Sequence, residues 1–358
     1  MKIQNFGFDH VEFAVNDVAT HAQTYLRAGF EKIGSRHLPA RGIKSELYAQ
    51  GFVRIMLTQS DGSSASLQED SIKFLKSHAE GICVLAVDVE DATVAYNECV
   101  KRGARSAMAP KTFETSQGTV VRSEIWTPAS VRYAFIQRNS GPTQALFDEG
   151  LVASRLESPS PNGLHHIDHL TNNVDMGEMK KWVKWYQDVF GFVVSRHFDI
   201  STGRTGLTSD VVQSVDGKII VPINEATEAA SQVQEFVVRM KGAGVQHLAL
   251  ATTGIMDTLR NLRKKDFKFL QVPHTYYETV PTRVPGVTED LGELESLGIL
   301  LDGEGEGYLL QIFSEEIVGP FFFEFIERKG NKGFGEGNFK ALFQAIERDQ
   351  IKRGVLKA

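Results

Sequence analysis

The chain has 358 residues, 42% of them hydrophobic and 23% charged, a net charge of −6, and 2 cysteines. That length provides for one large domain or two to three ordinary ones, each with a packed core. The balance excludes a nucleic-acid footprint, which needs clustered Lys and Arg; a membrane span, which needs roughly 20 apolar residues; and a disulfide scaffold or thiolate-rich metal site. The N-terminus lacks the apolar h-region of a secretory signal, so the cytoplasm is the expected compartment.

In chain order, the first element is a strand, Phe8-Asp9-His10-Val11-Glu12-Phe13-Ala14-Val15, which alternates in polarity. A helix over residues 17–28 follows and ends at Gly29, a residue suited to a helix C-cap. Apolar strands are expected over Gly81-Ile82-Cys83-Val84-Leu85-Ala86-Val87 and over Tyr133-Ala134-Phe135-Ile136-Gln137-Arg138. Residues 154–163 are rich in Ser, Pro and Gly and mark a boundary. The series then recurs. Ile167-Asp168-His169-Leu170 opens a strand, residues 176–190 form a helix ending at Gly191, and Gly244-Val245-Gln246-His247-Leu248-Ala249-Leu250 and Phe323-Glu324-Phe325-Ile326-Glu327-Arg328 form later strands. Residues 284–307 are acidic and Gly-rich and are expected to be an exposed excursion. A Gly-rich turn at 330–337 leads into an amphipathic helix over about 338–353. The chain is therefore read as a duplicated α+β unit.

Aligning the two halves isolates three positions. The second half has His169, His247 and Glu324 where the first has His10, Val84 and Ala134. A metal site kept in one copy and lost in the other explains that difference; a purely structural role does not. Two imidazoles and a carboxylate form the facial triad of non-haem Fe(II) enzymes, which leaves coordination positions open. The same set can also hold zinc, although the metalloprotease spacing is absent, since these ligands stand 78 and 77 residues apart. Glu324 shares a strand face with Phe322 and Ile326, and a carboxylate there must be paired or bound to a metal. His10 reads as a hydrogen-bonded core residue, and His165 and His166 as structural. Asp168 is assigned to the face opposite His169, in a packing or backbone-bonding role.

These residues resemble the 4-hydroxyphenylpyruvate dioxygenases of the vicinal-oxygen-chelate superfamily. The likeness covers the second half and is weaker in the first. It rests on Ile167-Asp168-His169-Leu170, Gly244-Val245-Gln246-His247-Leu248-Ala249, Leu309-Leu310-Gln311-Ile312-Phe313, Phe322-Phe323-Glu324-Phe325-Ile326 and Gly333-Phe334-Gly335-Glu336-Gly337-Asn338-Phe339. The resemblance implies duplicated βαβββ modules forming two open-barrel domains with a C-terminal capping helix. Residues 1–153 would be the domain without metal, and 164–358 the catalytic, iron-binding domain with the lid helix. It places Fe(II) on His169, His247 and Glu324. It assigns polar pocket roles to Ser209, Asn224, Gln232, Gln246 and Gln311, and pocket walls to Pro222, Phe313, Phe322, Phe334 and Phe339. Asn338 belongs with the lid.

The implied reaction converts 4-hydroxyphenylpyruvate and O₂ into homogentisate and CO₂, a step of tyrosine breakdown. The substrate's own 2-oxo acid supplies the electrons for O₂. Amide side chains suit a phenol hydroxyl, because they both donate and accept, and flat apolar walls suit its ring. A 4-hydroxymandelate synthase would share ligands and substrate; Pro222, Asn224 and Phe339 favour the dioxygenase. An extradiol catechol dioxygenase shares the triad, and a small-molecule binding protein shares the fold. Expected partners are an aromatic 2-oxo acid and O₂, with no nucleic acid or membrane, in a homo-oligomer, a dimer or tetramer.

Overall fold

A computed structural model describes residues 4–140, 145–201, 205–303 and 307–339, together with residues 351 and 354. In the first half the alternating apolar segments become β1 (Asn5–Ala14), β2 (Glu31–Leu38), β3 (Ile43–Gln50), β4 (Val53–Ser60), β5 (Gly81–Val89), β6 (Arg105–Thr115), β7 (Gly118–Trp126) and β8 (Arg132–Ser140). They form one curled sheet in the order β2-β3-β4-β1-β5-β8-β7-β6. A hairpin follows, β9 (Ala145–Asp148) and β10 (Leu151–Ala153). The second half contains β11 (Leu164–Val174), β12 (Val193–Ser201), β13 (Gly206–Gln213), β14 (Ile220–Ala226), β15 (Gly244–Thr252), β16 (Leu300–Asp302), β17 (Tyr308–Phe313) and β18 (Phe322–Lys329). Its order, β12-β13-β14-β11-β15-β18-β17-β16, repeats that of the first sheet.

Each half is itself a pair of βαβββ units. Within a unit the first and last strands pair in parallel, as β1 with β4 and β5 with β8, or β11 with β14 and β15 with β18. The two units join through an antiparallel seam, β1 with β5 or β11 with β15. The helices form where the caps direct. Asp17 accepts from Ala19 N at the start of the helix Val18–Arg27, and Gly191, at φ 71°, ends the helix Met179–Phe190.

One hydrophobic core runs through both halves. Phe13 meets Phe321 edge-on at 4.9 Å, and Tyr133 and Tyr186 share a hydrogen bond of 3.0 Å between their hydroxyls. Phe323 and Phe325 of β18 enter this core, while the alternate residue Ile326 packs with Ala249 and Leu309 in a separate cluster. The segment at the boundary is pinned between the halves. Asn162 Nδ2 donates to Ala28 O at 2.8 Å, and Thr258 Oγ1 donates to Asn162 O at 2.5 Å.

Two expectations need correction. Residues 284–307 are not simply an exposed excursion. They contain the helix Leu291–Leu297 and strand β16, and they bury Val284, Leu294, Leu297, Ile299, Leu300 and Leu301. Spaced aliphatic residues outweigh the acidic composition there. The hairpin β9–β10 was not foreseen. It packs Phe147, Leu151 and Ala153 against Leu47, Ala49 and Met56 of the first sheet. The terminal helix expected over 338–353 lies almost wholly outside the described residues.

Candidate metal centre

The register of the second sheet sets three side chains beside one another. His169 of β11 opposes Ala249 of β15, and Ala249 opposes Glu324 of β18. His247 lies two residues before Ala249 on β15, on the same face. The first sheet has the same frame, with His10 opposite Ala86 and Ala86 opposite Ala134. The sequence alignment of the two halves is therefore also a structural one. His169, His247 and Glu324 are buried, and their ligand atoms lie within 4.8 Å of one another. Among the described residues no other such group occurs. His169 Nε2 and His247 Nε2 each stand 3.4 Å from the same oxygen, Glu324 Oε2.

Two β-bulges hold the imidazoles. Ile167 opposes Leu250 and His169 opposes Ala249, so Asp168 is an extra residue in the ladder. The bulge breaks strict alternation and corrects the expected role of Asp168, whose carboxylate accepts from His169 Nδ1 at 2.8 Å. A second shift lies between Thr171, opposite His247, and Asn172, opposite Val245, and makes Gln246 the extra residue. Gln246 Oε1 lies 3.2 Å from His247 Nδ1. In each case the residue preceding the histidine engages Nδ1 and leaves Nε2 directed at the shared point, an arrangement typical of metal-ligating histidine.

The donor set fits a metal ion. His247 Nε2 is buried without a hydrogen-bond partner, a costly state unless a ligand satisfies it. Burial pushes the His169 imidazole down, but the Glu324 carboxylate, followed by Asp168, more than offsets this and carries it to about 9. Burial pushes Glu324 up, yet the adjoining His169 and then His247 hold its carboxyl below the usual range. For His247 burial outweighs the nearby Glu324, so its imidazole is held below the ordinary value. A divalent cation would supply the positive charge that a proton on His169 otherwise provides.

The residues expected to line a pocket lie at several places around this group. Phe322 stacks on the His247 ring at 4.9 Å, Phe313 meets it edge-on at 6.1 Å, and Phe334 meets His169 edge-on at 5.4 Å. Gln311 Nε2 donates to Glu324 Oε1 at 3.1 Å and its Oε1 accepts from Asn338 Nδ2 at 2.9 Å, while Gln246 Nε2 donates to Gln232 Oε1 at 2.9 Å. Gly335, at φ +76°, lies so close to Gln311 Oε1 that any Cβ would overlap it. Farther along, Ser209, Asn224 and Asn173 stand side by side on β13, β14 and β11. Asn224 Nδ2 donates to Asn173 Oδ1 at 3.3 Å, while Ser209 Oγ and Asn173 Nδ2 are buried without partners. Pro222 is also buried on β14, opposite Val211, and Phe339 stacks on Phe198 at 5.2 Å. His165 and His166 contact each other and are not part of the triad.

Sequence reasoning missed Asn173, Arg328 and Tyr276, whose hydroxyl donates to Asn338 Oδ1 at 2.6 Å. For Arg328 a signal existed, because Asp168 and Arg328 have counterparts in Asp9 and Arg138. Arg328 donates to both Asp168 oxygens, at 2.8 and 2.7 Å, and Arg138 donates to both oxygens of Asp9.

Fold and site together define the vicinal-oxygen-chelate class, with a His-His-Glu group that could hold a metal ion. Residues 2–123 match the family model described as "Hydroxyphenylpyruvate dioxygenase, HPPD, N-terminal", and residues 163–280 match the "Glyoxalase/Bleomycin resistance protein/Dioxygenase superfamily". The 4-hydroxyphenylpyruvate dioxygenase of Legionella pneumophila (strain Philadelphia 1) is 38% identical over 358 residues, 98% of this chain and 96% of that protein. That of Pseudomonas aeruginosa is 38% identical over 353 residues with the same coverage, and the protein named Hemolysin VllY of Vibrio vulnificus is 38% identical over 366. A solved mutant of 4-hydroxymandelate synthase from Streptomyces coelicolor superposes with a TM-score of 0.82 at 23% identity, covering 98% of this chain and 100% of that one, and so shares its fold. The chain belongs to the 4-hydroxyphenylpyruvate dioxygenase family and is a dioxygenase of that family. No helix among the described residues is long and apolar enough to cross a membrane.

Proposed function

We propose that the second half, residues 164–358, holds Fe(II) on His169, His247 and Glu324 and converts 4-hydroxyphenylpyruvate and O₂ into homogentisate and CO₂. Residues 1–153 form the companion domain without metal. The observation carrying this reading is the convergence of His169 Nε2 and His247 Nε2 on one oxygen of Glu324, with both Nδ1 atoms engaged from behind. When bound, ferrous iron supplies the redox chemistry and open coordination positions for the 2-oxo acid and O₂.

The protein's own residues supply position and dryness. Asp168 and Gln246 fix the imidazole rings, and Gln311 holds the oxygen of Glu324 that does not face the histidines. Phe313, Phe322 and Phe334 wall the site and exclude water. Asn173 lies four residues beyond His169 on β11, about 13 Å at 3.3 Å per residue. Its row with Ser209 and Asn224 is thus placed for the far, phenolic end of a substrate whose 2-oxo acid sits at the metal. The unpartnered Ser209 Oγ and Asn173 Nδ2 are suited to that hydroxyl. Gln232, Phe339 and Pro222 complete the pocket, and Asn338 ties the closing segment to Gln311.

The test is anaerobic reconstitution with Fe(II), addition of 4-hydroxyphenylpyruvate and then O₂, and identification of the product by mass spectrometry. Homogentisate with one CO₂ per O₂ is expected. 4-Hydroxymandelate as the main product, or tight substrate binding without turnover, would contradict the proposal.

A further inference from the structure

Arg328 lies on the same strand face as Glu324, four residues further along β18. Its guanidinium is divided between two structures. Through Nε and Nη2 it donates to Asp168, the residue that holds His169 Nδ1. Through Nη1 it donates to Gly333 O at 2.5 Å and to Asn331 O at 3.3 Å, in the segment that closes over the site. The same guanidinium lies 5.8 Å from the ring of Phe334, which itself meets His169. One side chain therefore contacts both the support of a ligand and the turn covering that ligand.

The first half shows the same device in a locked form. Arg138 donates to Asp9, whose carboxylate engages His10 Nδ1, and also to Phe147 O at 3.1 and 3.0 Å. It lies 4.3 Å from the Phe147 ring, which packs on His10 at 5.0 Å. There the segment after the last strand is fixed by Asp148, buried between Arg36 and Arg122. In the second half the described part of the corresponding segment has no such buried ion pair. Besides Arg328 it is held by Gly337 N donating to Asp302, by Asn338 with Gln311 and Tyr276, and by an outer Arg196–Glu336 pair.

We infer that Arg328 is a positioning residue that couples closure of residues 331–339 to the orientation of His169, so that metal binding and segment closure reinforce each other. This rests on the reading that the triad holds a metal. Coupling of this kind is reciprocal. If the closed segment helps to fix His169 through Arg328 and Asp168, a metal on His169 must equally stabilise the closed segment.

The test uses Co(II) as the probe ion and hydrogen–deuterium exchange as the readout. In the unaltered protein, saturating Co(II) should slow exchange of peptides covering 331–339 by about tenfold or more. Arg328→Met should reduce that protection to less than about twofold and weaken Co(II) affinity about 10–100-fold, the usual cost of losing an outer support of a ligand. Arg328→Lys restores a cation beside Asp168 but lacks the fork that also reaches Gly333. It should recover part of the affinity and little of the protection, a split that a merely structural role would not produce. Arg138→Met, in the first half, should alter neither Co(II) affinity nor exchange over 331–339.

Protection retained in a folded Arg328→Met protein would overturn the inference. If that variant does not fold, full protection in Arg328→Lys would overturn it. Co(II) bound stoichiometrically by the unaltered protein without any slowing over 331–339 would do the same. Failure of the unaltered protein to bind Co(II) would instead remove the metal reading on which the inference depends.

Discussion

The two halves show how one frame serves two purposes. Each presents a histidine at the same point of the seam, preceded by a bulged aspartate that an arginine from the last strand holds. In the second half, His247 and Glu324 complete a group that could hold a metal ion. In the first, Val84 and Ala134 occupy those places, and hairpin β9–β10 sits against the sheet. Arg36, Arg122 and Arg132 neutralise Asp148 and Glu124 there. What the halves have in common is the support; what separates them is the ligand set. A histidine with its bulge and arginine is thus compatible with a purely structural role, and the second imidazole with the carboxylate is what makes the second half able to hold a metal ion.

The largest expected effect separates the halves outright. Glu324→Ala removes the charge that unites the two imidazoles, so it should abolish Co(II) and Fe(II) binding in calorimetry, and turnover with it. Glu324→Gln keeps the shape but not the charge and should also bind poorly. In the first half, Arg122→Met leaves Asp148 and Glu124 short of a buried partner. It should cost about 3–5 kcal/mol in denaturant unfolding and leave Co(II) affinity unchanged. If it weakened metal binding as strongly as Glu324→Ala, the division of labour would be wrong.

Smaller effects sharpen the contrast. Gln311→Ala removes the hydrogen bond to Glu324 Oε1 and should lower metal affinity about 10–100-fold, and the loss of the acceptor for Asn338 Nδ2 should cost about 1–3 kcal/mol in denaturant unfolding. The halves should also respond differently to pH. Without metal, His169 titrates near 9, above its ordinary value, so the stability it contributes is complete below about 6.5 and is lost as pH rises through 9. A metal must displace that proton, so Co(II) affinity should rise with pH and level off above about 9. In the first half, burial pushes Glu124 up, but Arg132 and Arg122 overcome this and hold it at about 2. Its contribution to stability is present above the ordinary carboxylate value of 4.5 and is lost as pH falls through about 2. Acid titration followed by tryptophan fluorescence in a variant with Trp182 and Trp185 replaced by Phe, so that only Trp126 reports, should show that transition against Glu124→Gln as reference.

Much of this was legible in the sequence because the duplication supplied its own control. His169, His247 and Glu324 stood out against His10, Val84 and Ala134, and the strand register later placed the two sets in the same frame. Asp168 was misplaced because alternation holds only in an unbroken ladder, and a bulge adds a residue without any mark in composition. Residues 284–307 were misread because Gly and acidic residues dominate their composition, whereas their fold depends on a few aliphatic side chains such as Leu294 and Leu301. The hairpin had a local signal, two short apolar runs around Glu149-Gly150, with Gly150 at φ +65°. The roles of the expected pocket amides came from the resemblance. Gln232 and Gln246 lie 14 residues apart in sequence and meet only through the fold, so spacing does not pair them.

The most direct test of the central claim is anaerobic titration with Fe(II), counting ions bound per chain in the unaltered protein, His247→Ala and His10→Ala. One ion per chain is expected, lost in His247→Ala and retained at full affinity in His10→Ala. Two ions per chain, or one that survives in His247→Ala and disappears in His10→Ala, would contradict it.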